Sequence, residues 1–375
     1  MLDLACWNTR LNTATLVATL ALLGCNRDQP AASEPSDRRS QVGATDGSRR
    51  FGALFCAIAD DHGASLEHAR PCREALHNVG ERVHSGAAPP VPKRGEFSSV
   101  RLVIVAGIFG QCVAKYALPF QDAAPHLKAA HGLAAMEWIP VSGRSSSEAN
   151  ADAIARWLAE HPTAPGQKLI LLGYSKGATD LIETAVRHAD AIPPGSAIVS
   201  VAGAVMGTPA ADEGKAIFHA LSRLPLPNCP PGDRGGADSL TTDARRASPA
   251  SKALPARFRY FSLSAFARSP NVSRALRPSH AALQRRGGPN DGQMLARDAV
   301  IPAGRQLGFA NADHWAVALP LRRAMPWAAS LLDRNDYPRT VLLEAVIASV
   351  MTEPTAESPP PTQVSSQAFA VRPAG

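Results

Sequence analysis

Leu169-Ile170-Leu171-Leu172-Gly173-Tyr174-Ser175-Lys176-Gly177-Ala178-Thr179-Asp180 is the stretch whose reading decides the fold. Four apolar residues run straight into Gly-x-Ser-x-Gly, and Ala178 to Val186 then follow a helical pattern. An unbroken apolar run of this length suits a parallel strand covered on both faces. The turn to the helix must be sharp. Without a Cβ at Gly173 and Gly177, strand and helix can approach closely while Ser175 sits strained at the apex. Its hydroxyl is then pushed out over the helix N-terminus, where the Lys176 N–H has no partner within the helix.

Outward from this turn, further apolar runs alternate with helical stretches. Val100 to Ala106 is the strongest strand in the sequence, and Ala134 to Val141, Ala197 to Gly203, Arg257 to Leu263 and Arg305 to Phe309 read the same way. Between them, helical spacing covers Cys112 to Ala130 (interrupted at Pro119) and the segment from Ser147 through Leu158. Strands separated by helices indicate a mostly parallel sheet with right-handed crossovers and helices on both faces. Closing helices are expected over Ala324 to Leu332 and Thr340 to Met351.

The elbow, the order of elements and the Gly-Thr-Pro exit at 207–209 together resemble the α/β-hydrolase family of serine esterases and lipases, over roughly 97–351. The resemblance implies that Ser175 is a nucleophile. Gly107-Ile108-Phe109-Gly110 resembles that family's oxyanion loop, with Ala106 where a histidine is usual, so the Ile108 N–H would join that of Lys176. Gly288-Pro289-Asn290-Asp291-Gly292 resembles the acid-bearing loop, which puts forward Asp291, with Asp298 as its competitor. His314 falls after the last strand, where the family places its base, while its neighbour Asp313 would point away from the ring. Ser175, Asp291 and His314 thus follow the expected chain order.

The activity implied is hydrolysis of carboxylic esters, lipidic or acyl, through an acyl-enzyme on Ser175. The alternatives are an envelope acyltransferase with the same triad and an inactive hydrolase-fold binding protein. No metal or organic cofactor is expected. His62, His68, His77, His84 and Cys72 crowd one region without a paired-ligand motif.

At the N-terminus, an apolar run from Leu16 to Leu23 leads to Gly24-Cys25. It is too short to span a bilayer comfortably and ends on a small residue, as an export signal does. Leu22-Leu23-Gly24-Cys25 resembles a bacterial lipobox, which implies cleavage after residue 24, lipidation of Cys25, and a protein held on a membrane of the cell envelope. A flexible tether is expected over 25–50, a helical extension and linker over 51–92, the hydrolase domain over 93–351, and a disordered tail over 352–375.

A Pro- and Gly-rich insertion at about 212–256 is the candidate lid. In an exported chain Cys56 and Cys72 are expected to pair, and Cys229 within the insertion could pair with Cys112. The net charge of +7 would suit anionic surfaces, yet no basic block interleaves with aromatics, so no nucleic-acid partner is expected.

Overall fold

The computed structural model describes residues 43–77, 89–224, 228–251 and 253–353. The expected signal over 1–24 and the lipidation candidate Cys25 lie outside the described residues. Of the expected tether only 43–50 is described, and of the expected tail only Thr352 and Glu353.

In chain order the structure runs β1 (Thr45–Asp46), α1 (Ser48–Asp61), α2 (Cys72–Ala75), β2 (Leu76–His77), β3 (Val100–Val105), α3 (Gly110–Val113), α4 (Ala124–His131) and β4 (Ala135–Ile139). It continues through α5 (Ser147–Glu160), β5 (Lys168–Tyr174), α6 (Lys176–Arg187), β6 (Ala197–Val201), α7 (Pro209–Ser222) and α8 (Thr242–Ala247). The last part is β7 (Arg259–Phe266), α9 (Arg277–Gly287), β8 (Arg305–Asn311), α10 (Leu321–Ala324) and α11 (Arg339–Thr352). The strands form one eight-stranded sheet in the order β1-β8-β7-β6-β5-β3-β4, with β2 antiparallel on β8 and every other pair parallel.

Every residue of β3 and β6 is buried, because helices cover both faces of the sheet. One face carries the large core from Phe51 and Phe55 through Leu102, Ile104, Leu172 and Leu342, and the other a smaller core around Val103, Leu171 and Leu181. Helix α11 is buried almost all round, from Arg339 to Val350. An apolar, unstriped helix needs such a site.

The N-terminal part departs from expectation in two places. Residues expected in the tether already form β1 and the start of α1: Thr45 N–H donates to Gly304 O, and Gly47 N–H to Gln306 O. Both side chains of β1 are exposed, so backbone pairing to the open edge of β8 fixes this strand and leaves no apolar period to read. In the second half of the extension, only Cys72–Ala75 is α-helical among the described residues. After α2, Leu76 pairs with Ala310 in a strand, since completing that edge outweighs a weak helical spacing. The extension is therefore built into the sheet. The helix expected over Ala324 to Leu332 is also broken, into α10 and a short turn at Pro326–Ala328, because Pro326 cannot continue it. Between α3 and α4 the expected helix gives way to turns.

Two disulfides join Cys56 to Cys72 and Cys112 to Cys229. The first ties α1 to α2, and the second ties α3 to the insertion.

Candidate active site

Strands β3 and β5 run side by side, with Val105 opposite Gly173, so their carboxyl ends meet at one rim of the sheet. Ligand sites of parallel sheets lie at such rims. Ser175 joins β5 to α6 with φ 56° and ψ −124°, a strained backbone for a residue with a side chain. The glycines make this turn possible. A Cβ on Gly173 would lie 2.4 Å from the Ala178 backbone, and one on Gly177 would lie 2.1 Å from Val105 O. Gly107 serves the facing loop, since its Cβ would meet that of Ser175 at 2.8 Å.

Helix α6 holds this geometry from behind through polar groups that burial leaves no choice but to pair. Lys176 Nζ donates to Asp180 Oδ1 at 2.5 Å, and Asn150 Nδ2 to Asp180 Oδ2 at 2.7 Å. Burial raises the Asp180 carboxyl while the Lys176 charge opposes it. One turn on, Glu183 takes Arg245 Nη1 at 2.6 Å and the Ser248 hydroxyl at 2.5 Å.

Opposite Ser175, the loop after β8 presents His314. Its Nε2 is 2.9 Å from Ser175 Oγ and its Nδ1 is 2.7 Å from Asp291 Oδ2. Asp291 is fully buried, and its other oxygen accepts the N–H groups of Gln293 (2.8 Å) and Met294 (2.7 Å). Two backbone contacts and one ring contact hold His314 further. His314 N–H donates to Asp291 O, Tyr174 hydroxyl donates to His314 O at 2.7 Å, and the Tyr174 ring stacks on the imidazole at 5.2 Å. Burial, with Asp291 and Asp313 nearby, lifts the Tyr174 hydroxyl well above its usual range, so it remains a donor.

The two other aspartates fall elsewhere. Asp313 turns away from the ring and accepts the N–H groups of Trp315, Ala316 and Ser273, fixing the turn that carries His314. Its burial raises its carboxyl. Asp298 sits on the turn 296–299, with Arg297 Nε 3.9 Å away. Among the described residues, the N–H groups of Lys176 and Ile108 donate to no backbone acceptor. They flank Ser175 from the head of α6 and from the loop after β3, and Ile108 and Ser175 line the same cavity.

That cavity has a volume of about 140 Å³. Its walls are largely apolar, with Ile108, Val113, Ile217, Phe218, Met294 and Trp315 around Ser175 and His314. Helix α7 at the start of the insertion supplies Ile217 and Phe218. The insertion is anchored at several points: the Cys112–Cys229 bond, the buried Arg144 donating to Ser222 O and Leu224 O, and Asp233 accepting the Ser146 N–H at 2.7 Å. Tyr174 carries no local signal, because the residue it holds, His314, is remote in sequence. Asp313 points away from the ring as expected, and its contacts to the N–H groups of Trp315 and Ala316 are those of a local aspartate turn.

No protein-family model matches the sequence, and no curated protein matches it. Among solved structures, the metagenomic carboxyl esterase MGS0156 is 33% identical over 91% of this chain and 99% of its own, with a TM-score of 0.76. Bacillus licheniformis lipase BlEst2 in its mature form is 20% identical over 61% of this chain and 89% of its own, at TM-score 0.45. Lipase 1 from Pelosinus fermentans is 13% identical over 67% and 98%, at TM-score 0.43. Of these three, the first alone is near enough to carry an argument.

Proposed function

The chain belongs to the α/β-hydrolase family of carboxyl esterases and lipases, and from that premise we propose that it cleaves carboxylic esters through an acyl-enzyme on Ser175. The observation that carries this reading is the unbroken chain from Ser175 Oγ to His314 (2.9 Å) to Asp291 (2.7 Å). His314 takes the hydroxyl proton through Nε2 as Oγ attacks the ester carbonyl, and Asp291 fixes the tautomer and stabilises the imidazolium. The N–H groups of Lys176 and Ile108 receive the charge that develops on the carbonyl oxygen. His314 then returns the proton to the leaving alcohol, and water removes the acyl group by the same route. Tyr174 and Asp313 are positioning residues that hold the imidazole carrying this proton. The steps need no cofactor.

The small apolar cavity supports acyl groups of aliphatic ester substrates, and a chain-length series of p-nitrophenyl esters tests it. Activity should peak at the length that fills the cavity and fall beyond it, whereas a profile flat with length contradicts the reading. A second reading, transfer of the acyl group to an alcohol, is favoured by the same apolar walls, which keep water scarce. Adding glycerol separates the two: hydrolysis gives mainly free acid, transfer mainly acylglycerol. An inactive binding protein would stay unlabelled by a fluorophosphonate.

We also propose that Cys25 is lipidated and anchors the protein to a membrane of the bacterial envelope, a reading supported by the apolar run before it. Cys25→Ser should release the protein from the membrane fraction, and retention of that variant would overturn the anchor.

A further inference from the structure

We propose that the chain carries a structural site for a divalent transition-metal ion of the zinc type, held by Nε2 of His62, His126 and His131 and by the Glu344 carboxylate. The cluster shares no residue with the Ser175 cavity. It gathers three elements: His62 at the end of α1, His126 and His131 on α4, and Glu344 on α11. One ligand atom from each residue lies within 4.8 Å of all the others. His62 and His126 are 2.9 and 3.2 Å from Glu344 Oε2, and His131 is 3.0 Å from Oε1. Ligands on a tetrahedral zinc with bonds of about 2.0–2.1 Å stand roughly 3.3 Å apart. The three nitrogen–oxygen separations are already close to that spacing.

The outer contacts orient the rings. His131 Nδ1 faces Lys93 O at 3.2 Å, and His62 Nδ1 faces Asp61 Oδ2 at 2.9 Å. Both partners only accept, so each Nδ1 donates outward and Nε2 is the ring atom turned to Glu344. A carbonyl or carboxylate on Nδ1 is the contact by which metal-bound histidines are oriented. Three imidazoles and one carboxylate suit zinc and its neighbours, whereas calcium and magnesium take oxygen shells. Four protein ligands leave no open tetrahedral position, so the ion would bind rather than catalyse. It would fasten α1, and with it the edge built on β8, to α4 and α11.

The test uses the full chain without a histidine tag, stripped with dipicolinate and titrated calorimetrically with zinc alone. The expected result is one equivalent of zinc, a thermal midpoint several degrees higher, and intense tetrahedral absorption when cobalt replaces zinc. His126→Ala, which removes a partly exposed ligand, should weaken binding by about a hundredfold, and Asp61→Asn, which spares all four ligands, by about ten- to a hundredfold. Ser175→Ala should bind zinc as the wild type does, so this result stands apart from the esterase assay. Substoichiometric uptake, or the same thermal shift in wild type and His126→Ala, would overturn the site and leave a cluster of protonated imidazoles on a carboxylate.

Discussion

Among the described residues, two buried carboxylates, Asp291 and Glu344, meet imidazoles, and they are wired in opposite senses. Asp291 takes a single ring through Nδ1, and two backbone N–H groups occupy its other oxygen. That leaves Nε2 of His314 facing a hydroxyl 2.9 Å away, free to accept a proton and give it back. At Glu344 the order is reversed. The Nδ1 atoms of His62 and His131 are tied outside the cluster, and three Nε2 atoms converge on one carboxylate. On the two proposals made above, a carboxylate with imidazole serves as a proton carrier in one place and a cation cage in the other, according to which ring nitrogen the surroundings claim.

The sharpest way to break this contrast is at the proton carrier. Ser175→Ala should lower kcat by about 10⁶-fold, as loss of a nucleophile does in triads of this kind. Its thermal midpoint should stay close to that of the wild type, because alanine keeps the Cβ in a backbone held at φ 56°. Ser175→Gly removes that Cβ and should raise the midpoint, as read by differential scanning calorimetry. Next in size, Asp291→Asn should lower kcat by about 10⁴-fold with a nearly unchanged KM, since an amide leaves the imidazole in the wrong tautomer. Asp313→Asn should cost far less activity and more stability, because Asp313 holds a turn and does not touch the ring. Equal losses in the two variants would erase the distinction between the acid and its neighbour.

Smaller again is the expected effect of Gly107→Ala. The added Cβ meets Ser175 at 2.8 Å and moves the oxyanion loop, which should cost about a hundredfold in kcat/KM. The smallest effect concerns pH. Burial lowers His280, whose Nε2 donates to Ala267 O at 2.8 Å beneath the acid-bearing loop. A histidine depressed in the fold binds its proton more readily when unfolded, so its contribution is present above pH 6.5 and is lost as pH falls below that value. Denaturant midpoints between pH 7.5 and 5.5 should therefore fall less steeply for His280→Gln than for the wild type.

Local signals were enough for the first of the two carboxylate sites. The elbow is one contiguous stretch, and its glycines announce a close approach that the structure puts at 2.1–2.4 Å for an added Cβ. Strands β3, β5 and β6 are legible because burial on both faces leaves them mostly apolar, with Arg101, Lys168 and Ser200 the polar exceptions. His314 and Asp291 are put forward by a family resemblance and by order along the chain, with Asp298 as the competitor, and the structure brings Asp291 to 2.7 Å from the ring. The Glu344 cluster was out of reach. His62 was read against its sequence neighbours His68, His77 and Cys72, while its partners stand at 126, 131 and 344. The strands β1 and β2 escaped for a related reason: each is two residues long and pairs by backbone to β8. A side-chain period has nothing to report there.

Ser175 is proposed as a hydroxyl made nucleophilic by an imidazole, and a fluorophosphonate probe followed by peptide mass mapping reads that nucleophilicity at the residue itself. One adduct per chain should appear on the peptide bearing Ser175, and it should vanish in Ser175→Ala and fall steeply in His314→Ala. Labelling at another residue, or ester hydrolysis that survives in Ser175→Ala, would contradict the account.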